Sequence, residues 1–451
     1  MPVVPDVTRS PRRLFSELPR EVAILSSVSF TVALGYGIVA PSIPAFARQF
    51  GVSTAAAASV ISAFALMRVV GALPAGRLVD RFGERRTMAA GIVIVAVSSV
   101  LAGFSGSFVQ LIVLRGVGGI GSAMFGVSGQ TLLLSSVRSD QRGRASGLYT
   151  GGFLLGSISG PAIGGLVAAW SLRAPFFIYG AMLAAPAAIA LAVLRDRSRG
   201  RLDARADGTD EVYGHHAGQM GAGRPLAAMA RVLRNRAYQA AASANLADGF
   251  AVIGVRSAIV PLFVKEVLDK PPTWTGIGFG VVAALNAAML LPAGRVADTI
   301  GRRPVIVTGC LGSAAGMATL AFAPGLPGFV IAMAMLGISS GLLDVAPSAM
   351  IGDLLGRTTD PGGMVVASYQ MAGDVGAVTG PIAVGFLVDS VSYQAAFLLA
   401  AGVLAAAACA GLAAPETRIA TSDAVIPAAD SVRASAASAG QPLDGECEVC
   451  R

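Results

Sequence analysis

Charge is scarce in this 451-residue chain: only 13% of its residues are Asp, Glu, Lys or Arg, where a soluble domain carries about a quarter. Lysine occurs only as Lys265 and Lys270, and histidine only as His215 and His216. With so little histidine and no Ser/His/Asp grouping, the clustered groups that catalysis at a membrane face needs are missing, so an enzyme is not expected. Cysteine is sparse as well. Cys310 and Cys409 stand singly in apolar stretches, and Cys447-x2-Cys450 has neither a second pair nor a nearby histidine to complete a metal site. The absence of a Gly-x4-Gly-Lys-Ser/Thr loop removes ATP as an energy source, and no cofactor is implied. Aromatic residues make up 6% and do not interleave with the arginines, so the net charge of +8 does not describe a nucleic-acid surface.

Hydrophobic residues are abundant instead, at 54%, with a mean hydropathy of +0.68. Apolar runs of the roughly 20 residues that cross a bilayer as a helix recur near 22–47, 55–76, 87–105, 109–132, 144–169, 175–194, 238–263, 275–296, 304–323, 327–351, 363–388 and 392–413. The expected fold class is therefore an all-α integral membrane protein with 12 transmembrane helices, numbered spans 1 to 12. Five segments follow: residues 1–21 before the first span, an N-terminal six-helix bundle at 22–195, a polar linker at 196–235, a C-terminal six-helix bundle at 236–414, and a tail at 415–451. The Ala, Ser, Asp and Pro content of the tail reads as disorder.

Arginine is distributed unevenly over the loops. Arg9, Arg12, Arg13 and Arg20 precede span 1; Arg77, Arg81, Arg85 and Arg86 follow span 2; Arg138, Arg142 and Arg144 follow span 4; the linker and the loop after span 8 hold more. The opposite loops have little beyond Arg48, Arg173, Lys265 and Lys270. Short cytoplasmic loops collect positive charge, so both termini are expected in the cytoplasm. The Ala-, Gly- and Arg-rich composition suggests a bacterial source, hence a bacterial cytoplasmic membrane.

The chain also repeats itself. Leu73-Pro74-Ala75-Gly76-Arg77 returns as Leu291-Pro292-Ala293-Gly294-Arg295, and Gly156-x3-Gly160-Pro161 as Gly376-x3-Gly380-Pro381. Such duplication is a common way to build a secondary transporter. The junction Gly76-x3-Asp80-Arg81-x-Gly83-x-Arg85-Arg86, with its second copy Gly294-x3-Asp298-x2-Gly301-Arg302-Arg303, resembles the loop signature of the major facilitator superfamily. Glu84 and Thr299 stand where that family commonly has basic residues. The resemblance covers about residues 22–413 and implies two pseudo-symmetric six-helix bundles, in which Asp80 meets the cytoplasmic start of span 11 and breaks from it during the transport cycle. A carboxylate is favoured at such a helix N-terminus by the dipole.

Two further runs extend the resemblance. Arg115-Gly-Val-Gly-Gly119 is similar to the family's span 4 motif, with Gly118 where a Gln is often found. Gly147-x8-Gly156-x3-Gly160-Pro161-x2-Gly164-Gly165 resembles the span 5 signature of its drug/proton antiporters. Gly152, Gly156, Gly160 and Gly164 recur every fourth residue, a smooth stripe for close helix contact, and Pro161 adds a bend.

Antiport needs a group that loads and unloads protons inside the membrane, and a desolvated carboxylate is suited to that. Asp248 in span 7 and Asp374 in span 11 fall near mid-depth at about 1.5 Å per residue, and Asp344 in span 10 lies nearer the cytoplasm. Arg68 in span 2 and Arg256 in span 7 are the candidate cations. The resemblance places spans 2 and 11 side by side, so Arg68 and Asp374 are expected to pair across the two halves; a static packing pair is the alternative. Candidate cavity residues are Tyr36, Phe125, Tyr149, Phe153, Asn245, Phe250 and Tyr369. These readings converge on a proton-coupled exporter of a small lipophilic molecule, whose partners are that substrate, protons and the lipid bilayer. The competing expectations are a proton-linked carrier of a sugar or amino acid and a membrane sensor that does not transport.

Overall fold

A computed structural model describes residues 19–137, 141–192, 233–322, 325–356 and 362–417. Among them the regular structure is helical throughout, without strands. Twelve stretches are long and apolar enough to cross a membrane: Arg20–Arg48, Thr54–Ala72, Glu84–Gly103, Phe108–Leu133, Arg144–Ala168, Ala174–Leu191, Arg236–Glu266, Pro272–Thr299, Arg302–Phe322, Leu326–Leu354, Ser368–Ser390 and Tyr393–Leu412. They match the sequence expectation one for one. Span 2 continues as helix to Phe82, and the span 11 helix begins at Gly362.

Local chemistry sets several of these ends. Side-chain oxygens of Ser53, Ser107, Asn235 and Ser392 accept from backbone N–H groups at the starts of spans 2, 4, 7 and 12, satisfying donors that the first helical turn leaves free. Gly83 joins spans 2 and 3 at φ 88° and ψ 160°, a region essentially confined to glycine. The outer faces carry exposed Val93, Val97, Leu101, Val109, Val113 and Val117. Such a run on two adjacent spans suits hydrocarbon rather than water.

Packing repeats between the halves. Span 1 lies on span 5 as span 7 lies on span 11; the pairs 3 and 4, 2 and 4, and 3 and 6 are mirrored by 9 and 10, 8 and 10, and 9 and 12. Contact between the two bundles runs mainly through spans 2 and 11 and through spans 5 and 8. The duplicated sequence therefore builds duplicated bundles that face each other.

Two boundaries differ from the sequence reading. Span 7 is not a uniform α-helix, because Gly249–Arg256 is wound as a π-helix. The folded part also runs past 414: Glu416 accepts from the backbone N–H of Arg302 at 2.8 Å and of Arg303 at 3.0 Å, and Thr417 Oγ1 donates to Asp353 at 3.1 Å. Pro415 to Thr417 thus belong to the C-terminal bundle, held by the free donors at the start of span 9. Residues 1–18, the bulk of the linker and the tail from 418, Cys447 and Cys450 included, lie outside the described residues.

Candidate functional site

The end of the molecule bearing Arg48, Arg173, Lys265 and Lys270 is called here the Arg-poor end, and the opposite end, with Arg77 to Arg86 and Arg302, the Arg-rich end. The halves are fastened at the Arg-poor end. Asp389 at the close of span 11 accepts from the backbone N–H groups of Thr54 and Ala55 at 2.8 and 2.7 Å, and Arg48 pairs with Glu266 at 3.1 Å. Gly165 in span 5 approaches Gly276 in span 8 so closely that a Cβ on either would meet the other's backbone. A cavity of about 310 Å³ remains there, lined by Pro41, Ala45 and Leu172 from one half and Pro261, Lys265 and Lys270 from the other.

The Arg-rich end is different. Nothing stands within 4 Å of the place a Cβ would occupy on Gly76, Gly147 or Gly294. Asp80 and Arg81 are exposed, and Asp80 makes no hydrogen bond or ion pair among the described residues. Among the described residues no contact of Asp80 with span 11 is made, and the halves are fastened at the other end. Glu84 is 2% exposed, and Arg85 is partly buried beside the exposed Arg86. In the second copy, Asp298 accepts from Arg302 at 2.5 Å and Arg302 also pairs with Asp353 at 3.1 Å, while Gly301 takes φ +125° and Arg303 donates to the Leu412 carbonyl. The copy with the substituted Thr299 carries an ion-pair network of Asp298, Arg302 and Asp353.

Between the ends, Arg68 Nη2 and Asp374 Oδ1 form an ion pair from span 2 to span 11. It is the charged link between the halves near mid-depth. The C-terminal half encloses a second group. Asp248 and Asp344 lie within electrostatic reach of each other and of Arg256, and Asn286 of span 8 donates to Asp344 at 2.8 Å. Among the described residues, Arg256 Nη1 is buried without a hydrogen-bond partner. Asn245 does not join this group; it donates to the Tyr369 carbonyl at 2.7 Å.

Span 4 places Arg115 inside the N-terminal bundle, 1% exposed. Its guanidinium lies 4.6 Å from the centroid of Phe64 and 5.8 Å from that of Tyr36, a cation–π arrangement, and Nε and Nη2 have no hydrogen-bond partner. Gly119 lets this helix approach span 2, since a Cβ there would meet the Phe64 carbonyl oxygen.

The span 5 glycines form a seam with span 1. A Cβ on Gly152, Gly156, Gly160 or Gly164 would strike the backbone at Ser26, Phe30, Leu34 or Ile38 respectively. Pro161 lies against Gly37. Span 11 repeats the seam on span 7, with Gly376 on Leu246 and Gly380 on Phe250. Gly147 takes no part in the seam and is exposed.

Of the aromatic candidates, Phe125 and Phe250 are 4% and 6% exposed and pack in the core. Phe153 is exposed on span 5, whereas Tyr149 and Tyr369 are partly buried against the core. Tyr36 stacks on Phe64 at 5.0 Å. Three features escaped the sequence reading: the π-helix that starts next to Asp248, the electrostatic reach between Asp248 and Asp344, and the capping of span 2 by Asp389. A π-turn inside an α-helix frequently marks a functional site.

Two matched six-helix bundles, with charged side chains enclosed within and between them, define a polytopic helical membrane protein of the carrier type. The family model described as Major Facilitator Superfamily matches residues 25–253 and 241–438, and the chain belongs to that superfamily. Multidrug resistance protein 1 of Bacillus subtilis is 31% identical over 179 residues, 40% of this chain and 46% of that protein. The matched region thus spans under half the length of that relative. An uncharacterized MFS-type transporter of Methanocaldococcus jannaschii is 21% identical over 403 residues, 86% of this chain and 98% of that one. The solved structure of a bacterial homologue of the human lysosomal transporter Spinster, inward-facing and occupied, has a TM-score of 0.69 at 14% identity and covers 90% of this chain and 97% of its own. That likeness concerns the fold.

Proposed function

We propose that this transporter is a proton-coupled efflux carrier of a bacterial cytoplasmic membrane, exporting a small lipophilic molecule of drug or antibiotic type by alternating access. The observation that carries the reading is the charge count around Arg256. Two carboxylates, Asp248 and Asp344, lie within electrostatic reach of the single guanidinium of Arg256, so one negative charge is left over. An uncompensated charge in a poorly solvated interior is costly, and taking up a proton removes it. That is the chemistry of a site that loads from one side of the membrane and unloads to the other.

Three features support this reading. Gly156, Gly160, Pro161 and Gly164 build the seam between spans 1 and 5, while Gly165 of the same run meets Gly276 of span 8. The partial match to a multidrug resistance protein points to efflux. The arginine asymmetry puts the Arg-rich end and both termini in the cytoplasm, so the fastened end faces outward and the interior loads from the cytoplasm. The Arg68–Asp374 pair then joins proton exchange to motion: protonating Asp374 frees Arg68 and loosens spans 2 and 11. A second reading, a proton-linked carrier of a sugar or amino acid, is favoured by one observation. The interiors of spans 1 and 4 contain no acidic residue to meet a cationic drug.

The test is an imposed pH gradient across inverted vesicles or proteoliposomes, with a panel of lipophilic drugs added. The expected result is that at least one drug collapses the gradient in vesicles with the protein and not in empty ones. A gradient unmoved by the drugs but collapsed by sugars or amino acids transfers the reading to the metabolite carrier. No response to either leaves a sensor.

A further inference from the structure

Span 11 ends on Gly385-Phe-Leu-Val-Asp389, the same Gly-x3-Asp spacing that ends span 2 at Gly76 and Asp80. The two spans are neighbours across the interface and run to opposite ends of the molecule. At the Arg-poor end the pairing is complete. Ser53, Thr54 and Ala55 open span 2, and both carboxylate oxygens of Asp389 are used there: Oδ1 accepts from Thr54 N–H at 2.8 Å and Oδ2 from Ala55 N–H at 2.7 Å. Gly385 makes the approach possible, because a Cβ on it would stand 2.7 Å from the Ala55 Cα and 3.1 Å from its nitrogen. These two N–H groups belong to the first turn of a helix, which has no intrahelical partner for them, and the carboxylate sits at the positive end of the helix dipole.

At the Arg-rich end Asp80 is exposed and makes no hydrogen bond or ion pair among the described residues, Gly76 has nothing within 4 Å of a Cβ position, and the span 11 helix begins at Gly362 on that side.

We propose that Asp389 and Gly385 are a reciprocal latch: Asp389 holds the Arg-poor end shut by capping span 2 and must release when that end opens. Spans 2 and 11 each carry a Gly-x3-Asp at the outgoing end, and with Asp80 capping span 11 in the opposite state the rigid pair acts as a see-saw with one capped N-terminus at a time. Arg48, Glu266 and Tyr393 reinforce the shut end, with Glu266 accepting from Arg48 at 3.1 Å and from the Tyr393 hydroxyl at 2.5 Å. Those are contacts between the ends of long side chains, about a third exposed for Arg48 and Glu266. The Asp389 cap, by contrast, ends on backbone and fixes the position of the span 2 axis. The inference rests on the alternating-access part of the proposed function and not on the substrate.

The experiment measures distances between spin labels on the full chain with its four cysteines replaced by alanine. One label pair, at Trp170 and Val267, reports the Arg-poor end; another, at Phe82 and Ile300, reports the Arg-rich end; all four positions are exposed. The unsubstituted background is expected to give one dominant short distance for the first pair. In Asp389→Ala a longer distance at Trp170 and Val267 grows about tenfold relative to the short one, the scale on which loss of a charged helix cap moves an equilibrium, and a shorter distance appears at Phe82 and Ile300. Gly385→Val gives the same shift without removing any charge. Distance distributions in both variants identical to the background overturn the latch. Because no substrate is added, a shift in distances alongside a failed drug assay keeps the latch and discards the drug reading.

Discussion

Asp344→Asn yields a folded transporter that no longer moves protons. With one carboxylate removed, the single charges of Asp248 and Arg256 balance within electrostatic reach of each other, so no surplus charge is left for a proton to neutralise. The Asn286 side chain keeps an acceptor, since an amide oxygen replaces the carboxylate oxygen it reaches at 2.8 Å. Drug-driven collapse of the pH gradient falls by on the order of a hundredfold, matching the several kcal/mol that separate a compensated from an uncompensated buried charge. Asp248→Asn acts alike, because the two carboxylates serve one guanidinium. Arg256→Gln has the opposite character: it leaves two carboxylates without a cation, and the purified protein loses stability as well as transport. Gradient collapse at the native rate in both Asn variants would remove the coupling role from this cluster and leave it with Asp374.

Gly160→Leu damages the fold itself. Its Cβ position lies 2.6 Å from the Gly37 Cα, and beyond that Pro161 already occupies the space beside Gly37. No rotamer relieves this, because the obstacles are backbone atoms. Span 5 must therefore move away from span 1, undoing the contacts of Gly156 and Gly164 along the same seam. Overpacking of this kind costs about 1–3 kcal/mol or more, seen as a thermal midpoint lowered by roughly 5–10 °C in purified protein. Gly147→Leu serves as the contrast: that residue belongs to the same sequence signature but has nothing within 4 Å, so its midpoint stays at the native value. Equal losses in the two variants would contradict the seam as the reason for the glycine spacing.

The twelve spans and the doubling of the bundle were legible in the sequence, because membrane solvation forces long apolar runs and duplication copies its junctions. The glycine stripe of span 5 was legible for the same reason, as its four-residue period is a property of one helix. The Arg68–Asp374 contact was also anticipated, from matched depth on two helices placed side by side. Legibility failed where function depends on which faces meet. Asp248 and Asp344 are 96 positions apart by number, and counting rise along separate helices put Asp344 nearer one surface; the π-helix after Asp248 changes the register on which such counting depends. Residue type alone does not say which faces pack, and Phe125 and Phe250 are buried in the bundle cores. Asp389 was missed although its spacing from Gly385 repeats that of Gly76 and Asp80, because the arginines that drew notice to the two Arg-rich junctions are absent beside it.

One measurement bears most directly on proton exchange as the driving chemistry: proton release from purified, detergent-solubilised protein in weakly buffered solution when a drug identified in the vesicle panel is added. Roughly one proton per chain should appear on binding to the native protein, the surplus carboxylate giving up its proton as substrate loads, and none should appear with Asp344→Asn although that variant still binds. Saturating drug binding to the native chain without proton release at any pH would contradict the exchange mechanism.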